Sequence, residues 1–190
     1  MEEQKRLFYK KKAIEIFNKS KIYFKQTEFD KMEITDFGLG DFENIGLNVI
    51  IYVNTARVCA KELALLPYQI CPQHRHPDID SSLGKEETFR CRWGEVYLYV
   101  DTGEKETDFK DIKDKIPEIR AKIPEKYKDK LFILKEIILK PGDQYTLEPN
   151  TWHWFQGGPK GAVLSEFSSH SFDAGDIFYD KNIRRVAVDN

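Results

Sequence analysis

Residues 87–93, Glu-Thr-Phe-Arg-Cys-Arg-Trp, alternate without a break. On an extended chain Glu87, Phe89, Cys91 and Trp93 share one face, while Thr88, Arg90 and Arg92 share the other. A segment with one apolar and one charged face has to be a sheet strand with its apolar face turned inward. Gly94 is expected to turn the chain into a second strand at 96–100. Further β-prone runs occupy 47–53, 57–66 (ending at Pro67), 131–139, 144–148, 152–156 and 162–168. They are separated by Pro141-Gly142, Pro149-Asn150 and Gly157-Gly158-Pro159, all strong turn signals. Many short strands at close spacing, with no helices between them, predict an all-β sandwich or barrel.

Two segments stand apart from this pattern. Residues 3–19 read as a helix whose apolar stripe, Tyr9, Ala13, Ile16 and Phe17, should pack on the outside of a sheet or on a second subunit. Residues 104–130 are dense in charge and interrupted by Pro117 and Pro124, which predicts a surface excursion; a lid over the barrel mouth is the alternative. The chain has 190 residues, enough for one substantial core, and a single domain over 1–190 is expected.

Charge and composition exclude several partners. Thirty Lys and Arg against 32 Asp and Glu leave no basic field for nucleic acid or an anionic membrane. No apolar run approaches the roughly 18 residues of a membrane span. The charged N-terminus lacks the apolar stretch of a signal peptide, and three cysteines (Cys59, Cys71 and Cys91) do not make a disulfide framework. A cytoplasmic protein is expected.

Of the four histidines, three can be gathered with a carboxylate. His74 and His76 are two residues apart, so on extended backbone both imidazoles point to one side. Glu87 lies on the otherwise apolar face of its strand, where an unpaired charge is expensive and a metal would compensate it. His153 follows the Pro149-Asn150 turn, and its side chain takes the face opposite Trp152 and Trp154, shared with Thr151 and Phe155. Glu86 belongs to the wrong strand face, and His170, among Ser168, Ser169 and Ser171, reads as a loop residue. Three imidazoles and one carboxylate suit a divalent metal such as Mn, Fe, Co, Ni or Zn. The rival reading is a polar strand with exposed histidines.

The stretch from His74-Arg75-His76 through Glu87 to Gly94 resembles the first metal motif of the cupins, with a longer gap than usual between the histidines and the glutamate. PGDQYTLEPNTWHWFQGG resembles the second motif. Over roughly 33–185 the chain is similar to the cupin-type D-lyxose isomerases, carried by ITDFGLGDFENIGLNVIIYVNTARVCAKELALLPYQICPQHRHP, GKEETFRCRWGEVYLYV and EPNTWHWFQGGPKGAVLSEFSSHSFDAGDIFYD. The resemblance implies a cupin jelly-roll barrel over about 33–185 with an N-terminal helix, and an aldose–ketose isomerase. Its sugars would be D-lyxose and D-xylulose, with D-mannose and D-fructose as related substrates.

The resemblance also implies Mn(II), replaceable by Co(II), on His74, His76, Glu87 and His153. Proton transfer would pass through a metal-stabilised cis-enediolate. Glu166, in the segment matching SEF, is the expected general base; supporting a ligand or binding a hydroxyl is its alternative role. Lys85, two residues before Glu87, is expected to hydrogen-bond or protonate a sugar oxygen. Lys61 is expected near the substrate, and Gln73, Thr151, Asp176 and Arg184 are candidates for hydroxyl contacts, with turn capping or surface pairing as the alternative for each. Trp152 and Trp154 are read as sugar-facing platforms, with barrel packing or a subunit interface as the alternatives. A homodimer is expected from the resemblance. The competing readings are a sugar-phosphate isomerase, an iron-dependent dioxygenase and a non-catalytic sugar-binding cupin.

Overall fold

The β-prone runs curl into one antiparallel barrel whose outside is clad by helices and a strap. The computed structural model describes residues 3–101, 119–132 and 135–185. Its helices are α1 (Glu3–Phe17) and α2 (Gln26–Asp30). Its strands are β1 (Glu33–Thr35), β2 (Leu47–Asn54), β3 (Cys59–Leu65), β4 (Ile70–Arg75), β5 (Glu87–Val100), β6 (Lys135–Leu139), β7 (Gln144–Leu147), β8 (His153–Ser168) and β9 (Ile177–Phe178). Along the sheet the order is β1-β2-β3-β8-β4-β9, and β5 pairs with β8, β6 and β7. The expected all-β cupin barrel with an N-terminal helix is the fold observed.

Where the sequence predicts two strands around Gly94 and two around Gly157-Gly158-Pro159, the chain makes one long strand each time, β5 and β8. The two irregularities meet at one corner. Val96 pairs with Gly157 and Gly94 with Ala162, so residues 158–161 of β8 have no partner in β5. Gly94 sits at φ 74°, and a Cβ there would lie 2.1 Å from the Gly161 carbonyl oxygen, so only glycine lets the strands approach this closely. Before the corner β8 pairs with β4; beyond it β8 pairs with β3. One strand thereby joins both walls of the barrel.

A bulge also corrects the reading of the 87–93 alternation. Register shifts between Cys91 and Trp93, so Cys91 pairs with Leu164 but Trp93 with Val163. Glu87, Phe89 and Cys91 stay inside, whereas Trp93 turns outward and packs with Val163 against the helical layer. There the stripe of α1, with Ala13, Ile16 and Phe17 buried, meets Ile50, Ala64 and Leu66 from the sheet. The stripe thus covers the outside of the sheet, one of its two expected places.

Residues 104–118 of the charged excursion lie outside the described residues. Residues 119–132 are not a solvated face but a strap against the barrel. Tyr127 is buried and its hydroxyl donates to Asp41 at 2.7 Å. The indole of Trp154 donates to the Phe132 carbonyl at 2.9 Å, and the amide of Ala121 donates to the Tyr99 hydroxyl at 3.0 Å. Trp154 stacks on Tyr99, ring centroids 4.0 Å apart, and neither is more than 1% exposed. The strap therefore fixes the outer faces of β5 and β8, while the inner face of β8 carries His153 and Phe155. Of the expected strand at 131–139, Lys135–Leu139 is strand, Leu131 and Phe132 belong to the strap, and 133–134 lie outside the described residues.

Candidate metal centre

Three strands bring the histidines and the glutamate together inside the barrel. His74 lies on β4 directly opposite His153, the first residue of β8, and His76 follows the end of β4. Glu87 opens β5, whose far end is paired with His153 through Val100. All four side chains are buried, and one donor atom from each lies within 4.8 Å of the other three. Among the described residues no other group of histidines, cysteines and carboxylates comes together in this way.

Each imidazole is oriented by a partner on its Nδ1. His74 Nδ1 is 2.8 Å from the Pro72 carbonyl, His153 Nδ1 is 2.9 Å from the Thr151 carbonyl, and His76 Nδ1 is 2.6 Å from Asp176 Oδ1. A carbonyl only accepts, so His74 and His153 carry their proton on Nδ1 and present the Nε2 lone pair to the interior. There His76 Nε2 and His153 Nε2 lie 3.1 and 2.9 Å from the same oxygen, Glu87 Oε1. His153 Nε2 is buried and makes no hydrogen bond. A lone pair facing a carboxylate oxygen at this distance is repulsive unless a cation lies between them. Outward Nδ1 bonds, inward Nε2 lone pairs and a shared carboxylate make a donor set that could hold a divalent metal. Burial, with the neighbouring imidazoles, holds His74 well below the usual histidine range, so it is neutral and able to ligate.

Beside this group lies an alternating row of buried charges. Lys85 Nζ is 2.6 Å from Glu87 Oε2 and 3.1 Å from Glu166 Oε1. Lys61 Nζ is 3.6 Å from the same Glu166 oxygen, 3.4 Å from Asp173 Oδ1 and 2.9 Å from the Ser171 hydroxyl. Burial alone would raise the Glu166 carboxyl and lower both ammonium groups, but pairing outweighs it. Lys61 and Lys85 hold Glu166 ionised, and Glu166 holds both lysines charged. A cavity of about 510 Å³ opens onto this row, with His76, Lys85 and Asp176 at its floor. A smaller internal cavity of about 20 Å³ reaches His74, Glu87 and Glu166.

The other expected hydroxyl contacts take different places. Asp176 is at the centre, but through His76. Thr151 contributes its carbonyl to His153. The Gln73 side chain accepts the amide of Phe132 at 2.7 Å and so anchors the strap. Arg184 is exposed and donates to the carbonyls of Lys181 and Ile183. Its neighbour Arg185 reaches the site instead, 2.6 Å from Asp173 and 3.7 Å from Asp176. Asp173 and Arg185 are not among the residues to which the sequence points. The adjacent Arg184-Arg185 pair was a signal, though nothing in it told which arginine turns inward. Trp154 is buried under the strap and Trp152 packs edge-on to Phe132 and Tyr179, so these contacts place both tryptophans in packing. Glu86 is exposed, and His170 lines the outer cavity with its Nδ1 2.8 Å from the Thr55 carbonyl.

Comparison with known proteins agrees with this architecture. The chain is similar to the L-ribose isomerase of Acinetobacter solved with L-ribose, at TM-score 0.73 with 96% of this chain and 94% of that one covered; at 13% identity this is a likeness of fold. It is 51% identical over 177 residues to a D-lyxose ketol-isomerase of a Thermofilum species, covering 93% of this chain and 92% of the relative. It is 51% identical over 176 residues to a D-lyxose/D-mannose isomerase of Thermosediminibacter oceani, covering 92% and 91%. The family model described as D-lyxose isomerase matches residues 17–189. With that span of matched sequence and a buried three-histidine, one-glutamate centre in a cupin barrel, the chain belongs to the D-lyxose isomerase family.

Proposed function

We propose that the protein interconverts D-lyxose and D-xylulose, and more slowly D-mannose and D-fructose, using a divalent metal on His74, His76, Glu87 and His153. The observation that carries this reading is the ionised Glu166 carboxylate held between two lysines beside that donor set. A bound divalent cation would polarise the sugar carbonyl and hold negative charge developing on oxygen. Mn(II) is the proposed ion, with Co(II) as a substitute, on the family resemblance; the imidazole–carboxylate set is compatible with both.

Glu166 takes the proton from C2 of the open-chain aldose; the C2–H electron pair becomes the C1–C2 double bond as the C1=O1 π pair moves onto O1, which gives a cis-enediolate. The same carboxyl returns that proton to C1, while the proton leaving the C2 hydroxyl is made up at O1. Atoms and charge balance with no external reagent. Lys85 donates to a sugar oxygen during this exchange, and Lys61 keeps Glu166 ionised between turnovers. The three cysteines are all free and buried, which supports a reducing, cytoplasmic setting; a homodimer is proposed from the family resemblance. Among the described residues no helix is long and apolar enough to cross a membrane.

The test is ketose formation by metal-stripped protein with Mn(II) added back. D-xylulose appearing faster than D-fructose, and only with metal, supports the proposal; no turnover of either sugar by the metal-loaded protein overturns it. A sugar-phosphate substrate is the second reading, favoured by Arg57 and His170 on the wall of the outer cavity. Faster conversion of D-mannose 6-phosphate than of D-mannose would select it.

A further inference from the structure

The charged groups around the metal donors close into a ring. Glu87 pairs with Lys85, Lys85 with Glu166, Glu166 with Lys61, Lys61 with Asp173, Asp173 with Arg185, Arg185 with Asp176, Asp176 with His76, and His76 with Glu87. Signs alternate throughout when His76 counts as cationic, and a metal in its place keeps that alternation. Arg185 is the one member of this ring contributed by the segment that follows β9. That segment is pinned from both sides: Tyr179 N donates to the Gln73 carbonyl at 3.0 Å and Arg184 N to the Phe37 carbonyl at 2.8 Å.

The two prongs of the guanidinium do different work. Nη2 is 2.6 Å from Asp173 Oδ2 and 3.7 Å from Glu33 Oε1, while Nη1 is 3.7 Å from Asp176 Oδ2. Asp176 Oδ2 is buried and makes no hydrogen bond, so the charge of Arg185 is what compensates it. The other oxygen, Oδ1, receives His76 Nδ1. An arginine fork bridges two carboxylates in a way a single ammonium does not.

We infer that Arg185 is a positioning residue of the metal centre, holding Asp176 on His76 with one prong and Asp173 on Lys61 with the other. Without it, the Asp176 carboxylate is left with an uncompensated buried oxygen and swings away from His76. His76 then loses the partner that fixes which nitrogen faces the metal. The inference rests on the metal-site part of the proposed function and on no choice of sugar.

The experiment is a double-mutant cycle on Mn(II) affinity, measured by metal-buffered titration of the purified full chain. Arg185→Met should weaken Mn(II) binding about tenfold or more, in the range found when the outer partner of a ligating histidine is lost. Asp176→Asn should do the same, and the double variant should be no weaker than the worse single one, because both act on the metal through the contact of Asp176 with His76. A loss confined to folding would instead be additive with Asp176→Asn. Arg184→Met removes the same charge one residue away and should leave affinity unchanged. If the Met variant does not fold, Arg185→Lys serves the same cycle: it keeps the charge but not the fork, and should weaken binding only where Asp176 is intact. Additive losses, or unchanged affinity in the Arg185 variant, overturn the inference. A wild-type chain that takes up no Mn(II) overturns it together with the metal site. Mn(II) uptake without sugar turnover would count against the proposed activity alone.

Discussion

Glu166→Gln separates the proposed base from the metal. The substitution keeps the shape of the side chain and removes its charge and proton affinity. Neither lysine is stranded, because Lys85 keeps Glu87 at 2.6 Å and Lys61 keeps Asp173 at 3.4 Å. The stability cost should therefore fall below the roughly 3–5 kcal/mol of a buried charge left wholly unpaired. The catalytic cost is larger. Loss of a positioned base costs about 10² to 10⁴ in rate, which is about 3–5 kcal/mol of barrier at 1.36 kcal/mol per decade. Glu166 is not one of the four donors, so Mn(II) content should match the parent. D-xylulose formation at saturating Mn(II), with elemental analysis of the same sample, reads both quantities. Turnover within tenfold of the parent in the metal-loaded variant would refute Glu166 as the base.

Other perturbations probe the donors, the outer face and the fold. His153→Ala removes the buried Nε2 that faces Glu87 and should lose metal and activity together; an active variant with full metal content would exclude His153 as a ligand. Glu62 is buried on the outer face of β3, where burial pushes its carboxyl up to about 7 despite a hydrogen bond from Ser165 and the charge of Arg92. A carboxyl raised on folding binds more protons in the native state, so its contribution declines as pH rises from the unfolded value near 4.5 through about 7. Urea unfolding of the metal-free protein should then show Glu62→Gln gaining on the parent by about 2–3 kcal/mol between pH 4.5 and 7.5; parallel curves would contradict the linkage. Trp154→Ala should cost about 3–5 kcal/mol by opening a void beneath the strap, and a loss under 1 kcal/mol would show that the strap does not depend on it.

What the sequence made legible was whatever depends on neighbours two residues away. The pairing of His74 with His76 and the inward face of Glu87, Phe89 and Cys91 follow from a period of two, and they were readable until a bulge intervened. Trp93 was misplaced because the extra residue that flips it is set by how β5 lies against β8, not by any residue near it. Gly94 and Gly157-Gly158-Pro159 have the sequence signature of breaks. The same backbone freedom that ends a strand also lets one bend when partners on both sides continue the ladder. β4 before the corner and β3 after it supply that continuity here.

The centre shows the same division from the chemical side. A candidate ligand announces itself by residue type, and the donor group of His74, His76, Glu87 and His153 is legible because few side chains bind a metal. The groups that orient them carry no such mark. Two of the three Nδ1 partners are backbone carbonyls, Pro72 and Thr151, to which any residue type contributes equally. Both carbonyls lie two residues before their histidine, so local backbone geometry supplies the orientation. His76, beyond the end of β4, has no such carbonyl and takes Asp176 from 100 residues away. A carboxylate recruited over that distance brings a buried charge with it, and that charge needs Arg185. The long-range part of the site is thus concentrated on one histidine, and His76 is where the affinity for metal should be most sensitive to residues that never touch it.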